Sequence, residues 1–384
     1  MIVSVADRLN DVKEYYFSKK LREVALLKSK GKPIISLGIG SPDLAPDDRV
    51  SEALSNAVDK RTIHGYQSYQ GLPELREAMV TFYKTNFDVV LDSNTEVLPL
   101  MGSKEGIMHV SMAFLNAGDQ VLIPNPGYPT YSSVTRLVGA DPVFYDLVEK
   151  NNWLPNFEEL EKLDLSKVKI MWVNYPHMPT GVKSNDEMFR SLISFAKKHS
   201  ILLVNDNPYS FVLNDHPVSI LGYDGAKEVA LELNSMSKSF NMAGWRVGMF
   251  VGAKKYLDEI LKVKSNMDSG MFYGIQQGAI EALSLSKEWF QNINKHYYRR
   301  RKIVYQILDS MDCVYDRSHV GMFVWAKLPK GITSEQMTDK MLYDKNVFIT
   351  PGTVFGSNGE GYIRLSLCVS EEHLEQVLVR VKAK

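Results

Sequence analysis

The sequence has few cysteines, no long apolar run and no excess of charge of either sign. Cys313 and Cys368 are the two cysteines in 384 residues, and their spacing matches neither a disulfide framework nor a metal-binding cluster. We expect both to be buried free thiols. The 45 basic residues balance the 45 acidic ones, so the overall charge does not favour nucleic acid or an anionic membrane as a partner. No stretch approaches the roughly 20 apolar residues that span a bilayer, and the first residues lack a secretion signal. We therefore expect a cytoplasmic protein.

The order of apolar and amphipathic segments predicts an α/β chain with two domains. From about residue 95 to about residue 255, apolar runs such as QVLIP and ILLVND alternate with helical patterns. This alternation predicts a mainly parallel central sheet covered by helices on both faces. Residues 46–284 should form this large domain. Residues 1–45 and 285–384 should form a smaller α+β domain from both ends of the chain, with a long helix around 289–307 and strands in GMFVWAKL and GYIRLSLCV.

The segment SMSKSFNMAGWRVG follows an apolar strand and carries Lys238. Burial lowers the pKa of an amine, which leaves such a lysine able to form a covalent bond with an aldehyde or a carbonyl. Ser235, Ser237 and Arg246 offer donors for a phosphate nearby. For an isolated lysine, the alternative is a side chain that extends to solvent.

A second anion site is indicated where the strand VLPLM turns through Gly102 into a helix that starts near Ser103 and Lys104. Free backbone N–H groups and the positive end of the helix dipole make such a turn suitable for phosphate. The alternative is that Ser103 is a simple helix N-cap.

Three further residues stand at positions typical of ligand binding. Asp206 ends the strand ILLVND, at the edge where α/β sheets bind ligands, and could keep a heteroaromatic ring nitrogen protonated. Tyr128 offers a flat face for a ring, and Arg364, in an otherwise apolar strand, offers a guanidinium for a carboxylate. The alternatives are a turn at Asp206, ordinary packing of Tyr128 and an interdomain salt bridge of Arg364.

Together these segments resemble the class I/II aminotransferases of the fold-type I pyridoxal-phosphate enzymes, from about Ile34 to Arg380. The most specific match is S-x-S-K-x-x-x-x-x-G-x-R-x-G from Ser235 to Gly248. The resemblance implies pyridoxal 5'-phosphate as cofactor. It also implies an enzyme that moves an amino group between an L-amino acid and a 2-oxo acid by a ping-pong mechanism.

The resemblance also implies roles for single residues. Lys238 binds the cofactor aldehyde and shuttles the proton, Asp206 contacts the ring nitrogen, Tyr209 contacts the phenolic oxygen, and Tyr128 stacks on the ring. The residues expected at the phosphate are Gly102, Ser103, Lys104, Ser235, Ser237 and Arg246.

Two other segments match the family and concern the substrate and a second subunit. LGIGSPD places the Gly40 backbone near the substrate carboxylate, which Arg364 is implied to bind. YQSYQGLPELREA begins at Tyr66, and the resemblance implies that this tyrosine reaches the phosphate of the neighbouring subunit. A homodimer with shared sites is therefore expected.

One position departs from the family pattern. The usual Asn-Pro-Thr-Gly appears here as MPTG in NYPHMPTG, so Met178 stands at the asparagine position. A thioether donates no hydrogen bond, so we expect Met178 to line the site without a polar role. Asn174, four residues earlier, is not assigned the missing role.

Two alternative functions remain for such a chain, and no metal site is expected. A carbon–sulfur β-lyase would share the fold and the cofactor. A non-catalytic cofactor-binding regulatory domain is the other alternative, although no helix-turn-helix region or basic module is appended. The segments GIGSPD and GYQSYQGLPELR are similar to the branch that contains LL-diaminopimelate, aspartate and alanine aminotransferases. They do not identify the residues that bind the substrate side chain.

Overall fold

Helices and strands alternate along the chain in a computed structural model that describes residues 2–10 and 16–383. The α-helices are α1 (Tyr16–Ser29), α2 (Asp48–Val58), α3 (Pro73–Phe87), α4 (Ser103–Phe114), α5 (Pro129–Leu137), α6 (Phe157–Leu160), α7 (Asp186–His199), α8 (Ala226–Val229), α9 (Met236–Ser239), α10 (Lys254–Lys264), α11 (Tyr273–Leu283), α12 (Lys287–Asp309), α13 (Ser334–Lys345) and α14 (Glu371–Lys382). The strands are β1 (Ile35–Ser36), β2 (Val97–Leu100), β3 (Gln120–Asn125), β4 (Asp141–Asp146), β5 (Val168–Val173), β6 (Leu202–Asp206), β7 (Ala230–Ser235), β8 (Gly248–Gly252), β9 (Val314–Tyr315), β10 (Phe323–Lys327), β11 (Val347–Phe348), β12 (Thr350–Pro351) and β13 (Tyr362–Ser366).

The central sheet has seven strands in the order β2-β8-β7-β6-β5-β3-β4. Neighbours from β7 to β4 pair in parallel, whereas β8 is antiparallel to both β7 and β2. The reversal has a local cause, because the connection from β7 to β8 contains only the four-residue α9 and a short 3₁₀ turn. A parallel crossover needs a longer connection, usually a full helix. The predicted mainly parallel sheet is confirmed.

Helices cover both faces of this sheet. Along β5, Ile170 and Trp172 belong to one hydrophobic cluster, and the alternating residues Met171 and Val173 belong to another. Side chains of a strand alternate between faces, so both faces of β5 are buried. Continuous apolar strands such as ILLV are what a doubly covered sheet requires.

The two smaller sheets join segments from both ends of the chain. β1 pairs in parallel with β11, and a four-stranded antiparallel sheet has the order β12-β13-β10-β9. The predicted long helix is confirmed as α12, and it packs against α14. A large domain over residues 46–284 and a small domain from both ends stay a prediction, which these pairings support. Residues 1, 11–15 and 384 of the small domain lie outside the described residues.

Two further features concern the state of the cysteines and the search for a membrane-spanning helix. Cys313 and Cys368 are both buried free thiols, as predicted. Among residues 2–10 and 16–383, no helix has the length and apolar character needed to cross a bilayer.

Candidate active site

A cavity of about 340 Å³ opens where β5, β6 and β7 end, on the carboxyl side of the sheet. This is the edge at which open α/β sheets bind ligands. The predicted residues in its wall are Gly40, Ser103, Lys104, Tyr128, Asp206, Tyr209, Ser235, Ser237, Lys238, Arg246 and Arg364, together with Met178. One cavity therefore contains almost every predicted residue.

Lys238 reaches the cavity from the short helix α9. The hydroxyl of Ser235 accepts a hydrogen bond from the backbone N of Ser237 at 3.2 Å and caps this helix directly after β7. Lys238 Nζ donates a hydrogen bond to the backbone O of Gly40. Burial lowers the pKa of Lys238, and the nearby Arg364 adds to this effect. More of the amine is then neutral and nucleophilic near pH 7.

Asp206 is buried at the end of β6, with 6% of its surface exposed. Burial raises the pKa of Asp206 to about 7, against the lowering effects of a hydrogen bond from Tyr131 and of the positive charge on Lys238. The Tyr131 hydroxyl donates to Asp206 Oδ2 at 2.7 Å. Asp206 Oδ1 is buried and has no hydrogen-bond partner among the described residues. The carboxyl group thus has one satisfied oxygen and one available for a donor.

Tyr131 was not among the predicted site residues. Its ring stacks on Trp172, with ring centroids 4.6 Å apart and an interplanar angle of 6°. This stacking holds the Tyr131 hydroxyl within hydrogen-bond distance of Asp206. Tyr131 lies three residues after Tyr128, and the Tyr128 residue caps α5. The short spacing from Tyr128 is the one sequence signal that could have indicated Tyr131.

Positively charged side chains form part of the cavity wall near the start of α4. Gly102 has φ +88° and ψ 148°, and a Cβ atom at Gly102 would come 2.1 Å from Arg246 Nη2. Glycine therefore allows this guanidinium to pack against the turn that starts α4 at Ser103. Arg246 Nη1 lies 3.5 Å from the hydroxyl of Ser237. Burial and the charge of Arg246 lower the pKa of Lys104. Two cations and the first turn of a helix thus lie together, an arrangement suited to binding an anion.

Arg364 also lines the cavity, with 4% of its surface exposed. Its Nη2 donates to the backbone O of Gly38 at 2.9 Å, and its Nη1 lies 3.2 Å from Met178 Sδ. The guanidinium carbon is 3.9 Å from the ring centroid of Phe323 and 4.6 Å from that of Phe355. These contacts fix the plane of the guanidinium, which suits bidentate binding of a carboxylate.

The loop that carries Gly40 packs against the same aromatic ring. A Cβ atom at Gly40 would lie 2.2 Å from Phe323 Cζ, so any other residue would require the Phe323 ring to move. The other end of the loop is held by Arg300, which binds Asp43 with two hydrogen bonds of 2.7 and 2.9 Å. Tyr209 contacts Phe323 edge-on, with ring centroids 5.9 Å apart, and burial raises its pKa. The Tyr209 hydroxyl therefore stays protonated and can donate.

The side-chain amide of Asn174 forms hydrogen bonds with backbone groups through both its oxygen and its nitrogen. Its Oδ1 accepts from the backbone N of Met178 at 2.8 Å, and its Nδ2 donates to the backbone O of Asp206. Both polar atoms thus bind the backbone, although Asn174 also lines the cavity, and its lack of a role toward a ligand stays a prediction. Met178 is 5% exposed and turns its thioether to Arg364.

Tyr66 lies outside the cavity wall of its own chain, and its side chain is 92% exposed. Its predicted role requires a second copy of the chain and stays a prediction. Four apolar wall residues, Leu21, Ile39, Phe323 and Phe355, were not predicted. They converge only in the folded chain; Ile39 lies in the segment LGIGSPD, whereas no local pattern marks the other three.

The sequence model of the class I and II aminotransferases matches residues 32–381, and the chain belongs to this family. The predicted family, the fold-type I architecture and the aminotransferase activity are confirmed by this match and by the relatives. The family implies pyridoxal phosphate as its cofactor.

Particular relatives agree over almost the whole chain. The LL-diaminopimelate aminotransferase of Dehalococcoides mccartyi is 40% identical over 381 residues, covering 99% of this chain and 98% of that protein. The protein of the same name from Aquifex aeolicus is 39% identical over 379 residues, covering 98% of each. Among solved structures, substrate-bound BacF from Bacillus subtilis has a TM-score of 0.94 and 33% identity, covering 99% of this chain and 97% of that one.

Proposed function

We propose that the cavity binds pyridoxal 5'-phosphate and that Lys238 both holds the cofactor and moves the proton during amino transfer. The observation that carries this proposal is that Lys238 Nζ and the orphaned Asp206 Oδ1 share one cavity. A buried acidic oxygen without a donor fits a protonated ring nitrogen. The residues present therefore fit the cofactor that the family implies.

The anion site at the start of α4 would hold the phosphate. Arg246 and Lys104 supply positive charge, and the free N–H groups of the first helical turn from Ser103 supply donors. Ser235 and Ser237 line the same wall with their hydroxyl groups. Because Gly102 has no side chain, the Arg246 guanidinium can lie against the turn.

The remaining wall residues would orient the ring and the substrate. Tyr128 presents its ring to the cavity, and the protonated Tyr209 hydroxyl would donate to the phenolic oxygen. Arg364, held flat by its neighbours, would bind the α-carboxylate beside the Gly40 loop.

When bound, the cofactor supplies an electron sink for the bond that breaks at the substrate Cα. Lys238 Nζ would take the proton from Cα and return it to the cofactor carbon that bore the aldehyde. Its lowered pKa leaves the amine free to accept this proton. With the cofactor bound, the positive charge of the ring nitrogen would favour the ionised form of Asp206, whose carboxylate would in turn keep that nitrogen protonated. The same residues would act in reverse when a second 2-oxo acid takes up the amino group, which gives a ping-pong scheme.

A homodimer with shared sites forms part of the proposal. Tyr66 is 92% exposed and outside its own cavity, as a residue that acts on a neighbouring subunit would be. We assign it to the phosphate of that neighbour. The large domain over residues 46–284 would then contribute most cofactor contacts, and the small domain would contribute Arg364.

The proposal is tested by amino transfer in Lys238→Ala, with Lys262→Ala as the control, because Lys262 is an exposed lysine of α10 outside the cavity. We expect Lys238→Ala to lose at least about 10⁴-fold in rate, since base and covalent anchor are removed together. The control should keep the wild-type rate. Transfer by Lys238→Ala at a similar rate to the control would refute the role of Lys238. Release of 2-oxo acid and ammonia without an acceptor would instead support the β-lyase alternative.

A further inference from the structure

We propose that Asn358 is a positioning residue for binding of the amino donor, and that it acts through Phe355 on Arg364. This inference rests on the proposed function, because it takes Arg364 as the group that binds the α-carboxylate. Asn358 lies outside the cavity wall, three residues after Phe355, whereas Phe355 and Arg364 both line the cavity. The contacts of Asn358 join this segment to the loop that carries Tyr128.

Four polar residues from distant parts of the chain form one hydrogen-bonded group, which we call the Asn125 cluster. Asn125 ends β3 and Asp146 ends β4, whereas Ser357 and Asn358 lie in a 3₁₀ turn between β12 and β13. Asn358 Nδ2 donates to the backbone O of Asn125 at 3.1 Å and to Asp146 Oδ1 at 2.7 Å. The backbone N of Asn358 donates to Asn125 Oδ1 at 3.2 Å, and Asn125 Nδ2 donates to the hydroxyl of Ser357 at 2.9 Å. Asn358 thus holds both the backbone and the side chain of Asn125.

The segment that contains Asn358 packs closely against the end of β3. Gly356 has a φ of +135°, and a Cβ atom there would lie 2.2 Å from Asn125 Oδ1. Glycine permits both this backbone conformation and this close approach. Asn125 is 6% exposed, and hydrogen bonds to a buried amide are costly to lose. The cluster therefore fixes the segment in one position on the central sheet.

The cluster connects directly to two parts of the cavity wall. The backbone N of Gly127 donates to the backbone O of Phe355 at 2.7 Å. Gly127 precedes Tyr128, whose ring would stack on the cofactor. The Phe355 ring lies on Arg364, with 4.6 Å between its centroid and the guanidinium carbon. The position of this aromatic neighbour of Arg364 is thus set relative to the loop at the cofactor ring.

This arrangement should affect donor binding more than the chemical step. Two parallel hydrogen bonds between a guanidinium and a carboxylate require a fixed orientation of the guanidinium plane. A shift of the segment would remove Phe355 from one side of Arg364 and weaken that orientation. Lys238 and Asp206 are held by the central sheet, at the ends of β7 and β6. We therefore expect loss of the Asn358 amide to reduce donor affinity while proton transfer and cofactor binding persist.

The test is the half-reaction of the cofactor-loaded enzyme with an amino donor, followed by stopped-flow absorbance, which separates the apparent Kd from the maximal rate constant. The donor is the one that wild type converts fastest among L-alanine, L-aspartate, L-glutamate and LL-diaminopimelate. For Asn358→Ala, which loses two side-chain hydrogen bonds, the apparent Kd should rise by about 5- to 20-fold. The maximal rate constant and the affinity for pyridoxal 5'-phosphate should stay within about threefold of wild type. Asn358 is half-buried, so its truncation should leave the fold intact.

Glu149→Gln is the matched control. Glu149 follows β4, accepts a hydrogen bond from the Tyr362 hydroxyl at 3.0 Å and pairs with Lys327, so it joins the same two parts of the chain outside the Asn125 cluster. An exposed pair of this kind contributes little, and the apparent Kd should stay within about twofold of wild type. An unchanged apparent Kd in Asn358→Ala, the same rise in both variants, or an equal loss of cofactor affinity would overturn the inference. A wild type that converts none of the four donors would refute the proposed function and this inference together.

Hydrogen exchange of the cofactor-free protein gives a readout that does not depend on activity. The amide of Gly127 is protected by its hydrogen bond to Phe355, and Asn358→Ala should increase its exchange rate by at least about fivefold. Glu149→Gln should exchange at the wild-type rate. Unchanged exchange at Gly127 in Asn358→Ala would show that Asn358 does not hold the Phe355 segment, and this would overturn the inference while leaving the proposed function intact.

Discussion

The buried carboxyl group of Asp206 should make the stability of the cofactor-free protein depend on pH. Burial moves the pKa of Asp206 from 3.8 to about 7. Between these values the folded chain keeps a proton that the unfolded chain has released, so the free energy of unfolding must fall as pH rises. At about 1.4 kcal/mol for each pH unit, the loss comes to about 4 kcal/mol between pH 4 and pH 8.

The substitution Asp206→Asn removes this titration and keeps the shape of the side chain. Wild type and variant are compared by urea unfolding at a series of pH values, since the difference between them cancels the other titrating groups. We expect the variant to gain stability relative to wild type, by about 4 kcal/mol over the window, as pH rises from 4 to 8. A difference that stays constant with pH would refute the buried, protonated state of Asp206.

Tyr131→Phe provides a matched control for the direction of the effect. The Tyr131 hydroxyl donates to Asp206 Oδ2 and lowers the pKa of this carboxyl group. Removing the donor should raise the pKa of Asp206 further, so the loss of stability should continue to higher pH than in wild type. A shift of the window to lower pH would contradict this hydrogen bond.

Three more predictions concern the phosphate turn, the departure from the family pattern and the dimer. Gly102→Ala should weaken cofactor binding, measured by fluorescence titration, by roughly 10- to 100-fold, because its φ of +88° and the adjacent guanidinium disfavour a Cβ atom. Gly118→Ala, where φ is +86° but the same atom would meet open space outside the cavity, should bind the cofactor normally. Met178→Asn introduces a hydrogen-bond donor that a thioether lacks. It should lower, by about one unit, the pKa of the nitrogen that joins Lys238 to the cofactor, read from the long-wavelength absorbance of the loaded enzyme. An equal or higher pKa would show that another donor already acts there. Mixed dimers of Lys238→Ala and Tyr66→Phe subunits should regain a fraction of the activity, and no recovery after demonstrated subunit exchange would argue against a shared site.

The elements of the fold were predictable where the pattern is local. Alternating apolar runs and amphipathic stretches are set by neighbours in sequence, and α4 begins at Ser103, where its pattern predicts the start of a helix. The reversed direction of β8 depends on the length of one connection. A sequence pattern shows where a strand lies, and its direction follows only once its neighbours in the sheet are known.

The contacts that organise the site were less predictable, because they join distant segments. The hydrogen bond from Tyr131 to Asp206 spans 75 positions, and that from Arg364 to Gly38 spans 326. Lys238 could be identified because its motif is continuous in sequence. Phe323 and Phe355 carry no such motif, and Phe323 lies beside Arg364 because β10 pairs with β13 in the folded chain.

The central claim is that Lys238 carries the cofactor, and borohydride reduction tests it most directly. Reduction of the protein loaded with pyridoxal 5'-phosphate makes the bond between lysine and cofactor permanent, and peptide mapping by mass spectrometry then locates the label. We predict one labelled peptide, with the cofactor attached to Lys238. Labelling of Lys104, the other lysine in the cavity wall, with Lys238 unmodified would contradict the account.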